Sequence, residues 1–567
     1  MTTAHWLFPT AVDPAQVRAL AQALKLSRFA AELLVRRGYG SVEEGGHFLD
    51  PRLQSLGDPF LLPQMEAAVT RILAALDQRE RIVLYGDYDV DGVTSLALLV
   101  RVLRAYGAEP ACFLPSRADE GYGLSPDGLT RCVETLQPQL LIAVDCGTGS
   151  VAEIAALAEQ GIDVIVVDHH EGAGTRPACV ALVNPKLGGG HEYLCSAGLA
   201  FKVAHALLKR RPVAGFDLRS CLDLVALGTV ADLVPIRAEN RILVKRGLAQ
   251  LARSQWPGLR ALLEVAGLTP PLTPGHVGFG LGPRLNAAGR LGTAEEALEL
   301  LLTTDPARAQ AIAQSLDTQN RERRAVEEDV FRQAEAQLAE TASDPASDGV
   351  IVVGARGWHT GVVGIVASRL QKKHHRPTLV IGFDEDGMGK GSGRSIEGFS
   401  LVAALERCTD LLEKHGGHEM AAGLTLRLEN LPALRDAFRR CARETLTAEQ
   451  LRPHLHLDAE LPLGEIDYTL LDQHEALQPF GMGHPQPLFY ARGVTLAAEP
   501  RVMKEKHYSF LLRQEGDEYR AVWFGGVAHP LPRQPWDIAF QIERNDWNGT
   551  VSPQIHLRAV RAAEAGY

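Results

Sequence analysis

Three short apolar segments of this chain each run straight into a set of acidic or imidazole side chains. RIVLYG (81–86) leads into Asp87-Tyr88-Asp89-Val90-Asp91-Gly92, LLIAV (140–144) into Asp145-Cys146-Gly147, and DVIVV (163–167) into Asp168-His169-His170. Apolar runs this short and continuous read as strands buried on both faces. Helical patterns over Val93–Ala105 and Val151–Glu159 follow the first and second of them, which predicts βαβ units and a parallel sheet covered on both sides. Ligands of such sheets collect beyond the carboxyl ends of the strands, and all three polar clusters lie there.

Asp89 and Asp91 flank one residue in a turn, with Gly92 opening the next helix. An N-cap and an Asx-turn account for one such aspartate and poorly for three. Carboxylates packed this closely repel each other unless protons or cations intervene. Asp145, Asp168, His169 and His170 join them from the neighbouring strand ends, and Asp232 follows a helical run over Leu222–Val230. Successive side chains leave an extended chain on opposite sides, so one of His169 and His170 is expected to be a ligand and the other to face the substrate. Carboxylate oxygens with one imidazole suit Mn²⁺ or Mg²⁺ better than a thiolate-rich zinc site. Several carboxylates around one pocket favour two ions, ~3.5–4 Å apart, an arrangement suited to in-line attack on phosphorus. The pattern predicts phosphoester or phosphoanhydride hydrolysis.

The rest of the chain supplies context. At 567 residues, two to four domains are expected. A content of 46% hydrophobic and 22% charged residues excludes disorder as the main state. The eight cysteines contain no C-x-x-C pair, which argues against a structural zinc site and a disulfide framework, and Cys146 reads as a small buried residue. No apolar run reaches the ~20 residues of a membrane span, and MTTAHWLFPT lacks the features of a secretory signal, so a cytoplasmic protein with no membrane partner is expected. The net charge of −11 is not that of a nonspecific nucleic-acid coat, although an enzyme can confine positive charge to one groove. A helical stretch from about Thr293 to Thr341 reads as a solvated connector. A second α/β unit begins at Gly349, and LRPHLHLDAELP (451–462) marks a boundary before short alternating runs, YSFLLR, YRAVWF and DIAFQIE, of a small antiparallel β domain.

These motifs together resemble the DHH phosphoesterase superfamily and, within it, the RecJ family of single-strand-specific exonucleases. LYGDYDVDGVTS (84–95), VDCGTGS (144–150), VVDHH (166–170) and GTVADLVP (228–235) match the four acidic motifs in order. GLGPRLNAAGRLGTA (280–294), GWHTGVVGIVASRL (357–370), GSGRSIEGFSL (391–401), GGHEMAAG (416–423) and PFGMGHPQPLF (479–489) continue the likeness through nearly the whole chain. The resemblance implies an N-terminal helical lead (1–65), a parallel-sheet DHH catalytic domain (66–250), a helical connector (251–345), a DHH-associated α/β domain (346–455) and a C-terminal antiparallel β OB-fold (456–567). It implies a monomeric enzyme of DNA repair and recombination that hydrolyses single-stranded DNA from its 5′ end to mononucleotides. Single-strand-binding protein and a helicase are the implied partners, and Mn²⁺ or Mg²⁺, as two ions, the implied cofactor.

By motif, Asp89, Asp91, Asp145, His169 and Asp232 would be metal ligands, with Asp145 bridging two ions and Asp91 and Asp145 central to catalysis. Smaller DHH phosphatases carry a His four residues before the Asp-x-Asp pair. Tyr85 stands there in this chain, and Asp87 is inferred to take over the missing ligand. His170 would contact the scissile phosphate or help the leaving group, and Asp168 would orient the motif.

Substrate-binding residues are expected elsewhere too. GSGRS (391–395) places Ser392 and Arg394 in a glycine-rich turn suited to a 5′ phosphate, with His359, Gly417 and His418 lining the same cleft. Arg284, Asn286 and Arg290 suit backbone phosphates near the domain junction, although each arginine could be an ion pair or helix cap instead. Arg117 and Tyr122, in SRADEGYGLS (116–125), could pair a phosphate contact with a base-stacking platform at the mouth of the site. In the β domain Trp523, Phe524 and Trp547 could stack bases, although aromatics of a small barrel are more often core. Two rivals remain: a phosphodiesterase of short oligonucleotides or cyclic dinucleotides, and a metal-free replication scaffold. The extra β domain argues against the first, and the filled acidic positions argue against the second.

Overall fold

The computed structural model describes residues 4–116, 120, 123–172, 174–291, 293–340, 345–547 and 550–563. Five strands form the first sheet: β1 (Ile82–Gly86), β2 (Ala111–Phe113), β3 (Leu140–Val144), β4 (Asp163–Val167) and β5 (Ala181–Val183). They lie in the order β2-β1-β3-β4-β5, and every pair is parallel. Side chains alternate between two apolar layers, which is why these segments read as continuously apolar. Leu84, Ile142 and Ile165 meet the helices Val90–Ala105 and Ser196–Arg210, while Val83, Leu141 and Val164 face Pro126–Leu136 and Val151–Glu159. The chain runs outward one way from β1 to β2 and the other way from β3 to β5. The switch point therefore lies between β1 and β3, where a crevice opens past the strand ends.

The helix after β1 begins at Val90, three residues earlier than the apolar pattern indicated, so Asp91 lies in its first turn and not in a loop. Asp89 explains the shift: its carboxylate accepts the Gly92 N–H at 3.0 Å as an N-cap.

The connector is more buried than a solvated helix. Helix Pro306–Glu340 is 35 residues long. Its first half places Ala309, Ile312, Ala313 and Leu316 in the core of the first sheet's domain, and its second half places Val330, Ala334 and Leu338 in the core of the next. That next domain has a mixed sheet of Lys414–Gly417, Ala421–Arg427, Met388–Arg394, Thr378–Phe383 and Ile351–Arg356, in that spatial order.

The last region is a closed barrel. Phe489–Leu496, Trp536–Trp547, Thr550–Ala562, Asp517–Trp523 and His507–Gln514 pair in turn, and the last pairs back to the first. Among these barrel pairs only Asp517–Trp523 with Thr550–Ala562 is parallel, which is the OB-type arrangement. Helices near the N-terminus share the barrel's core: Leu20, Phe29, Leu34 and Phe48 pack in one cluster with Phe489, Phe540 and Leu557. No helix among the described residues is long and apolar enough to cross a membrane.

Candidate metal centre and active site

The acidic groups converge at the switch point. Asp87, Asp91 and Asp145 are each no more than 3% exposed. Asp91 accepts two backbone N–H groups from the start of helix Ser196–Arg210, Ser196 at 2.7 Å and Ala197 at 2.9 Å. A helix N-terminus carries partial positive charge, so it fixes this carboxylate and its orientation. Helix Leu222–Ala231 closes over the same spot at Gly228, where a Cβ would lie 2.7 Å from Asp91 Oδ1. That helix ends at Asp232.

Asp145 directly follows β3 with φ of +63°, a left-handed conformation unusual for a residue with a side chain. Its N–H still donates to the Val167 carbonyl, which holds the turn, and its carboxylate accepts the Ser196 hydroxyl at 2.8 Å. His169 Nε2 points into the same space, 3.5 Å from Asp145 Oδ1, 3.5 Å from Asp232 Oδ2 and 3.9 Å from Asp91 Oδ2.

Ligand-type atoms of Asp87, Asp89 and Asp145 lie within 4.8 Å of one another. So do those of Asp145, His169 and His170, and those of Asp91, Cys195 and Asp232. Asp145 thus belongs to two of the groups.

The charges conflict as they stand. Burial, with Asp91 and other aspartates nearby, raises Asp145 well above the usual carboxylate range. Burial and Asp89 push Asp91 up to about 6; burial and Asp91 push Asp232 up to about 9. Burial and His170 push His169 down to about 3, so its ring is neutral and free to coordinate. His169 Nε2 and Asp232 Oδ2 are both buried without a hydrogen-bond partner, facing each other. A divalent cation would satisfy both atoms and relieve the repulsion, so the residues fit Mn²⁺ or Mg²⁺.

His170 does not diverge to the opposite side as an extended chain would predict: its ring lies beside that of His169, centroids 4.4 Å apart, with Nδ1 4.0 Å from Asp145 Oδ1, and its side chain is 41% exposed. Its Nδ1 lies 2.7 Å from Asp168 Oδ1. Burial alone would raise Asp168, but its bonds to His170 and to the Thr148 N–H outweigh this and hold it well below its usual range. Burial lowers His170, and Asp168 more than offsets that, so the imidazole is raised. Asn184 braces the pair, donating to Thr148 Oγ1 and to the His170 carbonyl. Tyr85 is fully buried on the opposite face of the sheet, with its hydroxyl donating to the Gly123 carbonyl, so it replaces no ligand.

The expected phosphate residues divide into two sets. Asn286 Oδ1 accepts the Val90 N–H, and the adjacent helical turn brings Gly289 against the Tyr88 carbonyl. Arg290, next in sequence, donates to the Gly361 carbonyl, whose own N–H is capped by His359 Nδ1. Gly364, one turn on, lies beside Ser392 Oγ and Arg394. Arg290, His359, Ser392 and Arg394 therefore surround the start of helix Thr360–His374, next to the acidic loop. Gly417 and His418 form the tip of the hairpin on the same sheet, where Gly417 pairs with Ala422 and Ala422 with Gly393.

Arg284 takes its ion-pair alternative: its guanidinium binds Asp317 and the Gly280 carbonyl. Ser392 and Arg394 sit on a β-strand rather than in a turn. The alternate glycines exist because a Cβ at Gly391 would lie 2.7 Å from Ile381 and one at Gly393 2.7 Å from Leu379. Trp523 is 7% exposed and belongs to the barrel core, whereas Phe524 is 56% exposed. Arg117, Tyr122 and the side chain of Trp547 lie outside the described residues.

The sequence pattern did not reveal Ser196, Thr148, Asn184 and Gly228. Thr148 and Gly228 do lie within the motifs VDCGTGS and GTVADLVP but carry no role there, and the local signal for Ser196 is the small-residue run Ser196-Ala197-Gly198 opening a helix, which marks close backbone approach.

Comparison with known proteins places this geometry. Family models for the DHH family N-terminal domain (residues 81–229), the DHHA1 domain (347–444) and the RecJ OB domain (457–559) all match. The single-stranded-DNA-specific exonuclease RecJ of Bacillus subtilis is 36% identical over 561 residues, covering 97% of this chain and 70% of the relative. The chain belongs to the RecJ family. RecJ of Dickeya dadantii is 36% identical over 92% of this chain and 94% of its own length. The crystal structure of RecJ from Thermus thermophilus in complex with Mn²⁺ superposes with a TM-score of 0.85 at 34% identity, covering 99% of this chain and 80% of that one. A Mg²⁺ complex of RecJ from the same organism also matches, with a TM-score of 0.80 over 99% of this chain and 79% of that one at 31% identity.

Proposed function

We propose that this chain is a metal-dependent exonuclease that hydrolyses single-stranded DNA from its 5′ end, releasing mononucleotides. The observation that carries the reading is the sharing of Asp145 between two groups of ligand atoms, with Arg290, His359, Ser392 and Arg394 gathered next to the acidic loop. Asp87, Asp89 and Asp145 would hold one ion, and Asp145, Asp91, His169 and Asp232 a second. Bound there, the ions supply an acidified water and neutralise phosphate charge.

The chain's own residues do the rest. Arg290, Ser392 and Arg394, with His359 beside them, seat the terminal 5′ phosphate through charge-assisted bonds. Gly289 packs against the Tyr88 carbonyl, which sets these residues beside the acidic loop, so a phosphodiester adjoining the seated 5′ phosphate would lie toward the acidic centre. His170, kept basic by Asp168, reaches the scissile phosphate and holds a proton for the leaving oxygen.

A groove of about 1260 Å³ continues from Leu233, beside Asp232, toward the barrel. Arg324 and Lys372 on its wall suit phosphates, whereas Arg544 there is already paired with Asp472 and Glu475, and Phe279, 82% exposed, suits a base. The division into domains at 65, 250, 345 and 455, monomeric action in the cytoplasm, a role in repair and recombination, and cooperation with single-strand-binding protein and a helicase belong to the same reading.

The test uses full-length single strands labelled at either end, and the corresponding duplex, with Mn²⁺. Early release of a labelled mononucleotide from 5′-labelled single strands, and none from 3′-labelled strands or blunt duplex, is expected. Mononucleotide released first from the 3′ end, or hydrolysis confined to dinucleotides, would refute it.

A further inference from the structure

Far from the acidic centre, strand His5–Leu7 pairs in parallel with His454–His456, so that His5 stands directly opposite His454. Trp6 turns inward, into a cluster with Leu457, Leu488, Tyr490 and Ala539, with the Arg561 guanidinium 4.7 Å from its ring. The alternation of a strand therefore turns His5, His454 and His456 outward together. The His5 and His454 ring centroids are 5.9 Å apart, and those of His454 and His456 6.5 Å. Glu449 reaches the same face from the preceding turn, and ligand atoms of His5, Glu449 and His454 all lie within 4.8 Å of one another. No hydrogen bond or ion pair among the described residues engages these three side chains.

We propose that His5, Glu449 and His454 form a second, non-catalytic metal site for a borderline transition ion such as Zn²⁺. Two imidazoles with one carboxylate favour Zn²⁺, Ni²⁺ or Cu²⁺, whereas the acidic centre suits hard cations. Bond lengths of ~2.0–2.2 Å require the ligand atoms to close to ~3.3 Å. Small rotations of three exposed side chains provide that.

The placement gives the site a consequence. His375 contacts the Gln450 carbonyl and Arg376 donates to the Leu451 carbonyl, so the segment carrying Glu449 is anchored to the DHHA1 domain. His454 leads into the barrel. A metal here would staple the N-terminal strand across the junction of the two.

The experiment titrates tag-free, full-length protein with Zn²⁺ against a chromophoric chelator, comparing wild type with the double variant His5→Ala/His454→Ala. Wild type is expected to bind one equivalent more than the variant, and Zn²⁺ to raise the melting temperature of wild type more. Mn²⁺-supported DNA hydrolysis should be the same in both, which keeps this test separate from the proposed function. Glu449→Gln leaves both rings and the strand pairing intact and should weaken the extra Zn²⁺ by about tenfold or more. Equal Zn²⁺ stoichiometry in wild type and the double variant would overturn the proposal, as would undiminished affinity in Glu449→Gln.

Discussion

The Asp145 carboxylate is approached by Ser196 Oγ at 2.8 Å, His169 Nε2 at 3.5 Å and His170 Nδ1 at 4.0 Å. Its left-handed backbone turns the side chain into the crevice rather than along the strand, and such strain persists where the surroundings over-determine it. Asp91 depends instead on tight packing. A methyl at Gly228 would sit 2.5 Å from the Ala197 Cβ and 2.7 Å from Asp91 Oδ1. Gly228→Ala is therefore expected to cost about 1–3 kcal/mol of stability by overpacking. It should also weaken Mn²⁺ binding by about tenfold, as disturbed support around ligands does. Calorimetric titration and thermal melting of the variant check both effects. Unchanged Mn²⁺ affinity would mean that helix Leu222–Ala231 does not position the carboxylate.

Single elements show how far sequence alone carries. The strand ends carrying Asp87, Asp145 and Asp168 were legible because apolar runs and their polar punctuation are local properties. Ser196, Thr148 and Asn184 were not, because each acts on a residue 14 to 105 positions away, and no periodicity encodes that contact. GSGRS looked like a turn because glycine density usually marks one. Here the glycines keep a central strand flat under Ile381, Leu379 and Leu424, and that pressure is tertiary. The strand presents Ser392 and Arg394 on one face, where Arg394 Nη1 donates to Ser392 Oγ at 3.0 Å. Arg394→Ala is expected to lower kcat/KM on 5′-phosphorylated single strands by roughly ten- to a hundredfold, the value of a charged hydrogen bond. Strands ending in a 5′ hydroxyl should lose much less. Equal losses on both substrates would remove Arg394 from the phosphate pocket.

Across the molecule, helices from the start of the chain share a core with the barrel at its end, and His474 and His484 lie near that junction. Burial and Arg37 push His474 down to about 4 and His484 down to about 3. Both rings are neutral when folded and titrate near 6.5 when unfolded. As pH falls below 6.5 the unfolded chain takes up protons that the folded one refuses, so stability is lost from about 6.5 downward until each folded value is passed. At pH 5 this amounts to roughly 2 kcal/mol per group. His474→Leu should flatten the dependence of the melting temperature between pH 7 and about 5 by one group's share. An unaltered slope would contradict it.

The central claim, that Asp145 joins two ions in one centre, is most directly tested by electron paramagnetic resonance of the protein titrated with Mn²⁺. Wild type is expected to show a spin-coupled Mn²⁺ pair, as for ions ~3.5–4 Å apart, and Asp145→Ala to lose that coupled signal. A single isolated Mn²⁺ at saturation in wild type, or an undiminished pair in Asp145→Ala, would contradict it.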